Sequence, residues 1–88
     1  MQYEYQTKGT CSRKMIVELD GDVIRSVKIV GGCAGNTAGI AEIVRGMKAE
    51  DVIRRFSGIR CGLKHTSCPD QLAHALTEAL AQQQEQHV

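Results

Sequence analysis

The chain has 88 residues, 42% of them hydrophobic and 24% charged, which suits one small domain and excludes a catalytic barrel or a separate regulatory domain. Eleven Lys and Arg against ten Asp and Glu leave a formal charge of +1, too little to hold a polyanion by counterion release. With only Tyr3, Tyr5 and Phe56 as aromatics, stacking platforms for bases are few, and a nucleic-acid partner is disfavoured. No apolar run approaches the roughly 18 to 20 residues of a membrane span, and the first residues lack the basic segment and apolar run of a signal peptide. The expectation is a cytoplasmic protein with no membrane association, in a compartment that keeps thiols reduced.

Residues 3–7 read as a first strand. Met15, Val17 and Leu19 then alternate with Ile16 and Glu18, and Val27 and Ile29 alternate with Ser26 and Lys28, the period-two pattern of strands with one buried face. Asp20-Gly21-Asp22 between the two runs predicts a tight hairpin, because Gly21 takes positive φ without steric cost. After Val30 the period changes. Ile40, Ile43, Val44 and Met47 predict the buried stripe of a helix capped by Asn36 or Thr37 and ended by Gly46. Ala49, Val52, Ile53 and Phe56 repeat the spacing in a second helix stopped by Ser57-Gly58. A third begins near Cys68-Pro69, with Asp70 read as a helix-start residue that suits the dipole, and turns Leu72, Ala73, Leu76, Ala79 and Leu80 inward. Gln82 to Val88 read as a polar tail. Strands followed by helices, without βαβ alternation, predict an α+β fold with an antiparallel sheet and about three helices on one face. One domain spans residues 1–88, with its core over about 3–81.

The four cysteines fall at element ends, away from the apolar stripes where a cysteine acting as a small hydrophobe belongs. Cys11 precedes a strand, Cys33 lies between strand and helix, Cys61 follows the second helix, and Cys68 opens the third. Glycines beside them let the backbone turn so that thiolates can converge, and the positive end of a helix at Cys33 and at Cys68 favours anionic sulfur. Arg13, Lys14, Arg60, Lys64 and His65 would act the same way if they faced inward. No Cys-x-x-Cys is present, so neither a thioredoxin-like pair nor a standard zinc ribbon is signalled. Cys11, Cys33, Cys61 and Cys68 are read as ligands of one metal ion or cluster, zinc or iron–sulfur, with thiol redox or sulfur-carrier chemistry and plain structural cysteines as the open alternatives. His65 is read as a solvated loop histidine that could replace one thiolate. The run Gly31-Gly32-Cys33-Ala34-Gly35-Asn36 is a weaker candidate for phosphate binding through Gly32, Gly35 and Asn36. It lacks the lysine and Ser/Thr of a P-loop.

Gly9-Thr10-Cys11-Ser12, Gly32-Cys33-Ala34-Gly35-Asn36 and Thr66-Ser67-Cys68-Pro69-Asp70-Gln71-Leu72 resemble the signature of the small TSCPD-domain proteins over about residues 3–80. That family resembles the cysteine-rich C-terminal domain of cobalamin-dependent ribonucleotide reductases, and stand-alone members often carry a reductase label. A complete reductase does not fit in 88 residues, so the resemblance implies an accessory role, with a ribonucleotide reductase or a sulfur-transfer protein as partner. Cys11, Cys33 and Cys68 also resemble, in order and context, the three cysteines of U-type iron–sulfur cluster scaffolds. Val44-Arg45-Gly46-Met47-Lys48 resembles the end of their first helix. This second likeness implies a three-stranded sheet packed against helices. Where the scaffold has an aspartate soon after its first cysteine, this chain has Ser12-Arg13-Lys14, and Ser67 stands where the scaffold has a histidine before its last cysteine. Cys61 is an additional thiol able to complete a four-thiolate site, which suits structural zinc or a stably held cluster.

Overall fold

A computed structural model describes residues 1–9, 12–31, 34–59 and 66–86. Three strands, β1 (Gln2–Gln6), β2 (Ser12–Asp20) and β3 (Val23–Gly31), are followed by three helices, α1 (Ala34–Val44), α2 (Ala49–Phe56) and α3 (Cys68–Gln86). The strands form an antiparallel sheet in the order β1-β2-β3, the α+β architecture that the alternation and helical periods predict. Gly21, at φ +61°, turns the β2–β3 hairpin as expected of a residue without a Cβ.

Met15, Val17 and Leu19 are fully or almost fully buried on one face of β2, and Ile24 and Val27 join them from β3. Ile24 and Val27 are three residues apart, a spacing that a regular strand would split between its faces. A register shift between Glu18 and Leu19 pairs Glu18 with Ser26 but Leu19 with Ile24. The extra residue, Arg25, bulges from β3 and restores both apolar side chains to the core. A second shift lies between Ser12 and Lys14, which pair with Gly31 and Val30. Here Arg13 is the extra residue, and Ser12 is brought onto the buried face with Met15. On the opposite face Lys14 reaches Glu4 at 2.8 Å across β1 and β2.

The helices cover the buried face: α3 lies against β1 and β2, α1 against β3, and α2 against α3. Leu72, Ala75, Leu76 and Ala79 make the inward stripe of α3, with Ala73 beside them and Leu80 partly buried. Burying each leucine contributes roughly 1.5–3 kcal/mol. In α2, Ala49 and Val52 are buried and Ile53 and Phe56 pack partly against the core. Between α1 and α2 the chain pairs with the start of β3: the Ile24 amide donates to the Met47 carbonyl, the Gly46 amide to Ile24, and the Ala49 amide to Asp22.

Four sequence expectations need correction. Helix α1 begins at Ala34, so Thr37 lies inside it, buried at 6% exposure, and neither Thr37 nor Asn36 precedes its first turn. Ile43 is 70% exposed. At 100° per residue the inward face set by Thr37, Ile40, Ala41 and Val44 is centred about 110° from Ile43, outside the buried arc. Met47 lies beyond the end of α1 and reaches the core from the connection. The residues read as a polar tail continue α3 to Gln86, since Gln and Glu are good helix formers, and Gln83 donates a side-chain hydrogen bond to the Gly21 carbonyl at 2.8 Å.

Candidate functional site

The start of β2, the end of β3 and the start of α3 meet at one end of the fold. Ser12 pairs with Gly31 across the hairpin, and its hydroxyl oxygen lies 3.6 Å from Cys68 Sγ, which donates to it. Ser12 is 5% exposed and Cys68 8%. The bulge at Arg13 is what aims Ser12 here, because without the extra residue its side chain would fall on the solvent face. Cys68 also continues the stripe of Leu72, Ala75, Leu76 and Ala79 and belongs to the core cluster, which corrects the reading that every cysteine lies off the apolar stripes.

The first turn of α3 is closed by polar side chains. Ser67 occupies the cap position: its carbonyl accepts from the Gln71 amide at 2.8 Å and its hydroxyl oxygen from the Asp70 amide at 3.2 Å, satisfying donors that a helix start leaves unpaired. The same hydroxyl donates to the Ile59 carbonyl at 2.6 Å. Asp70, 7% exposed, accepts from the Gly58 amide at 2.7 Å on one oxygen and from the Thr66 hydroxyl on the other. Gln71 donates to the Thr66 hydroxyl oxygen at 3.0 Å and accepts the Lys8 amide at 2.9 Å. Among the described residues no buried side-chain nitrogen or oxygen lacks a partner. A Cβ at Gly9, which has φ +76°, would stand 3.0 Å from Thr66 Cγ2, so this close approach of backbone to side chain favours glycine.

Burial pushes the Asp70 carboxyl upward, but the hydrogen bonds from Thr66 and Gly58, together with nearby His74, outweigh it and hold the group below the usual carboxylate value. His74 Nε2 lies 3.5 Å from Asp70 Oδ2 on the exposed side of α3. Asp70 is therefore an ionised helix-start residue, as the sequence reading has it, with the added task of fastening the stretch before α3.

Of the expected metal ligands, Cys68 is the one described. Cys11, Cys33 and Cys61 lie outside the described residues, as do Gly32 and His65. Gly35 and Asn36 fall within the first turn of α1, which starts three residues after β3 ends. Among the described residues no three His, Cys, Asp or Glu side chains form a group able to hold a metal, and no helix is long and apolar enough to cross a membrane.

Cys68 thus places a buried sulfur at the start of a nineteen-residue helix, in contact with the Ser12 hydroxyl. Ser12, Thr66 and Gln71 stand in the motifs that carry the family resemblance, but the sequence assigns them no individual role. Ser67 and Asp70 carry a legible signal, the Ser-x-x-acid spacing of a helix start, whereas the burial of Ser12 depends on a bulge without a composition mark.

No curated protein and no solved structure matches the chain significantly. The family model described as the TSCPD domain matches residues 1–80, a span that contains all four cysteines and the Thr66–Asp70 pentapeptide fastened by this network. The chain belongs to the TSCPD-domain family.

Proposed function

We propose that this chain is a small metal-binding module in which Cys11, Cys33, Cys61 and Cys68 together hold a zinc ion or a stably bound iron–sulfur cluster. One observation carries the reading: the described residues flanking the four cysteines are held together at one end of the fold. Ser12, bonded to Cys11, touches Cys68. Gly31, two residues before Cys33, pairs with Ser12. Ile59, two residues before Cys61, accepts the hydroxyl of Ser67, the neighbour of Cys68.

Four thiolates saturate a tetrahedral ion and leave no open position, which fits a structural or stably held centre. In small metallo-domains zinc contributes an apparent 10–16 kcal/mol, on the order of the whole stability of a chain this short. The partner class to examine is a ribonucleotide reductase or a sulfur-transfer protein, which the module would serve as an accessory.

The test is substitution of Cys33 and Cys68 by serine, singly, with metal content and melting temperature measured on protein purified without oxygen or chelator. Each change is expected to lower bound metal and melting temperature together. Unchanged metal and melting in both variants would overturn the reading. Metal-free protein with four reactive thiols and a reversible Cys61–Cys68 disulfide would replace it with thiol redox chemistry.

A further inference from the structure

We propose that Asp70, Thr66 and Gln71 form a latch that ties Gly58 and Lys8, described residues that precede Cys61 and Cys11 in the chain, to the start of α3, acting on the proposed site without being ligands themselves. The inference rests on the metal-binding reading for its purpose but on described hydrogen bonds for its geometry. Asp70 takes one amide from Gly58, before the stretch that carries Cys61, and one hydroxyl from Thr66, after it. Both ends of that stretch are thus tied to one carboxylate. Gln71 extends the tie in the other direction, since it holds Thr66 with its amide nitrogen and the Lys8 backbone with its oxygen, three residues before Cys11. Ser67 adds a parallel bond to Ile59 at 2.6 Å.

This arrangement does more than cap a helix. A helix start is served by Ser67 and by any acidic residue in the first turn, whereas Asp70 and Gln71 direct their oxygens to amides 12 and 63 residues away in the chain. The carboxylate is buried at 7% exposure and accepts one backbone amide and one side-chain hydroxyl, both from residues before α3. Groups that orient ligands in this way typically change metal affinity by about 10–100-fold when removed.

The test uses the whole chain, reduced and metal-free, with Asp70→Asn, Thr66→Val and Gln71→Ala compared to the unaltered protein by residue-resolved amide hydrogen exchange and, separately, by competitive zinc titration. Exchange at Gly58 should quicken by about tenfold or more in Asp70→Asn as a charge-assisted bond becomes neutral, and exchange at Lys8 should quicken in Gln71→Ala. The core amides of Val17 and Leu76 should keep their rates, and zinc affinity should fall by about 10–100-fold in at least Asp70→Asn and Thr66→Val. Unchanged exchange at Gly58 and Lys8 overturns the latch. So does quickening spread evenly over the core, which would make these residues supports of the whole domain, and so does full zinc affinity in a variant whose Gly58 exchange has risen. Should the unaltered protein take up no zinc or iron, the metal reading fails on its own, and exchange at Gly58 and Lys8 alone then decides whether the latch stands.

Discussion

Ser12 and Cys68 meet although 56 residues of chain separate them, and each is a residue that composition alone would place elsewhere. A serine between Cys11 and Arg13 has no sequence reason to be buried, yet the extra residue Arg13 turns it inward onto the Cys68 thiol. Cys68 was legible as a helix-start thiol from Pro69 and Asp70, and its place four residues before Leu72 already puts it on the inward stripe, so the expectation that it lies off that stripe misread a spacing the sequence contains. Replacing Ser12 by alanine should cost the metal-free protein about 1 kcal/mol, the net value of a buried hydrogen bond, read as a shift in denaturant midpoint. An unchanged midpoint would contradict the contact. Tyr5 offers a second test at this scale. Burial raises its phenol pKa, with Glu78 and Asp70 adding to the effect. Because the folded-state value is raised, the contribution of Tyr5 is complete below the unfolded value near 10 and is lost as pH climbs through and beyond it. Metal-free protein should therefore lose more stability between about pH 9 and pH 11 than Tyr5→Phe does, and equal losses in denaturant titrations would count against this.

At the scale of elements, the period-two and helical patterns are enough to find β2, β3 and the three helices, and the misplaced face of α1 has a plain cause. Periodicity identifies apolar residues at a spacing but does not say where the centre of the buried face lies. In α1, Thr37 and Ala41 move that centre away from Ile43, and neither announces itself as a core residue. The two register shifts are hidden for a similar reason: Arg13 and Arg25 are ordinary solvent-facing residues whose role is to be surplus in the ladder. The contrast within α1 is measurable. Ile40→Ala should cost about 2 kcal/mol or more, whereas Ile43→Ala should fall within about 0.5 kcal/mol of the unaltered protein, both by chemical denaturation. A larger loss at Ile43 than at Ile40 would invert the face assigned to the helix.

For the whole molecule, a single small core and a polar network at one end divide the work. The sheet and the three helices supply apolar burial, while strand pairing and hydrogen bonds hold the described residues Ser12, Gly31, Ile59 and Ser67 near Cys68. A core of this size gives limited stability, so a bound metal should dominate resistance to heat, and chelation under reducing conditions should lower the melting temperature by tens of degrees. A change of only a few degrees would show that the core suffices alone. The clustering of flanks was not legible in the cysteine spacing, which lacks Cys-x-x-Cys, because the sites are joined by strand pairing and by the bonds of Asp70, Gln71 and Ser67 and not by proximity in sequence. The measurement that bears most directly on the account is elemental analysis with a free-thiol count on protein purified without oxygen or chelator. The account predicts about one zinc per chain, or iron with matching sulfide, and four thiols masked until the metal is removed. Metal-free protein with four freely reactive thiols would contradict it.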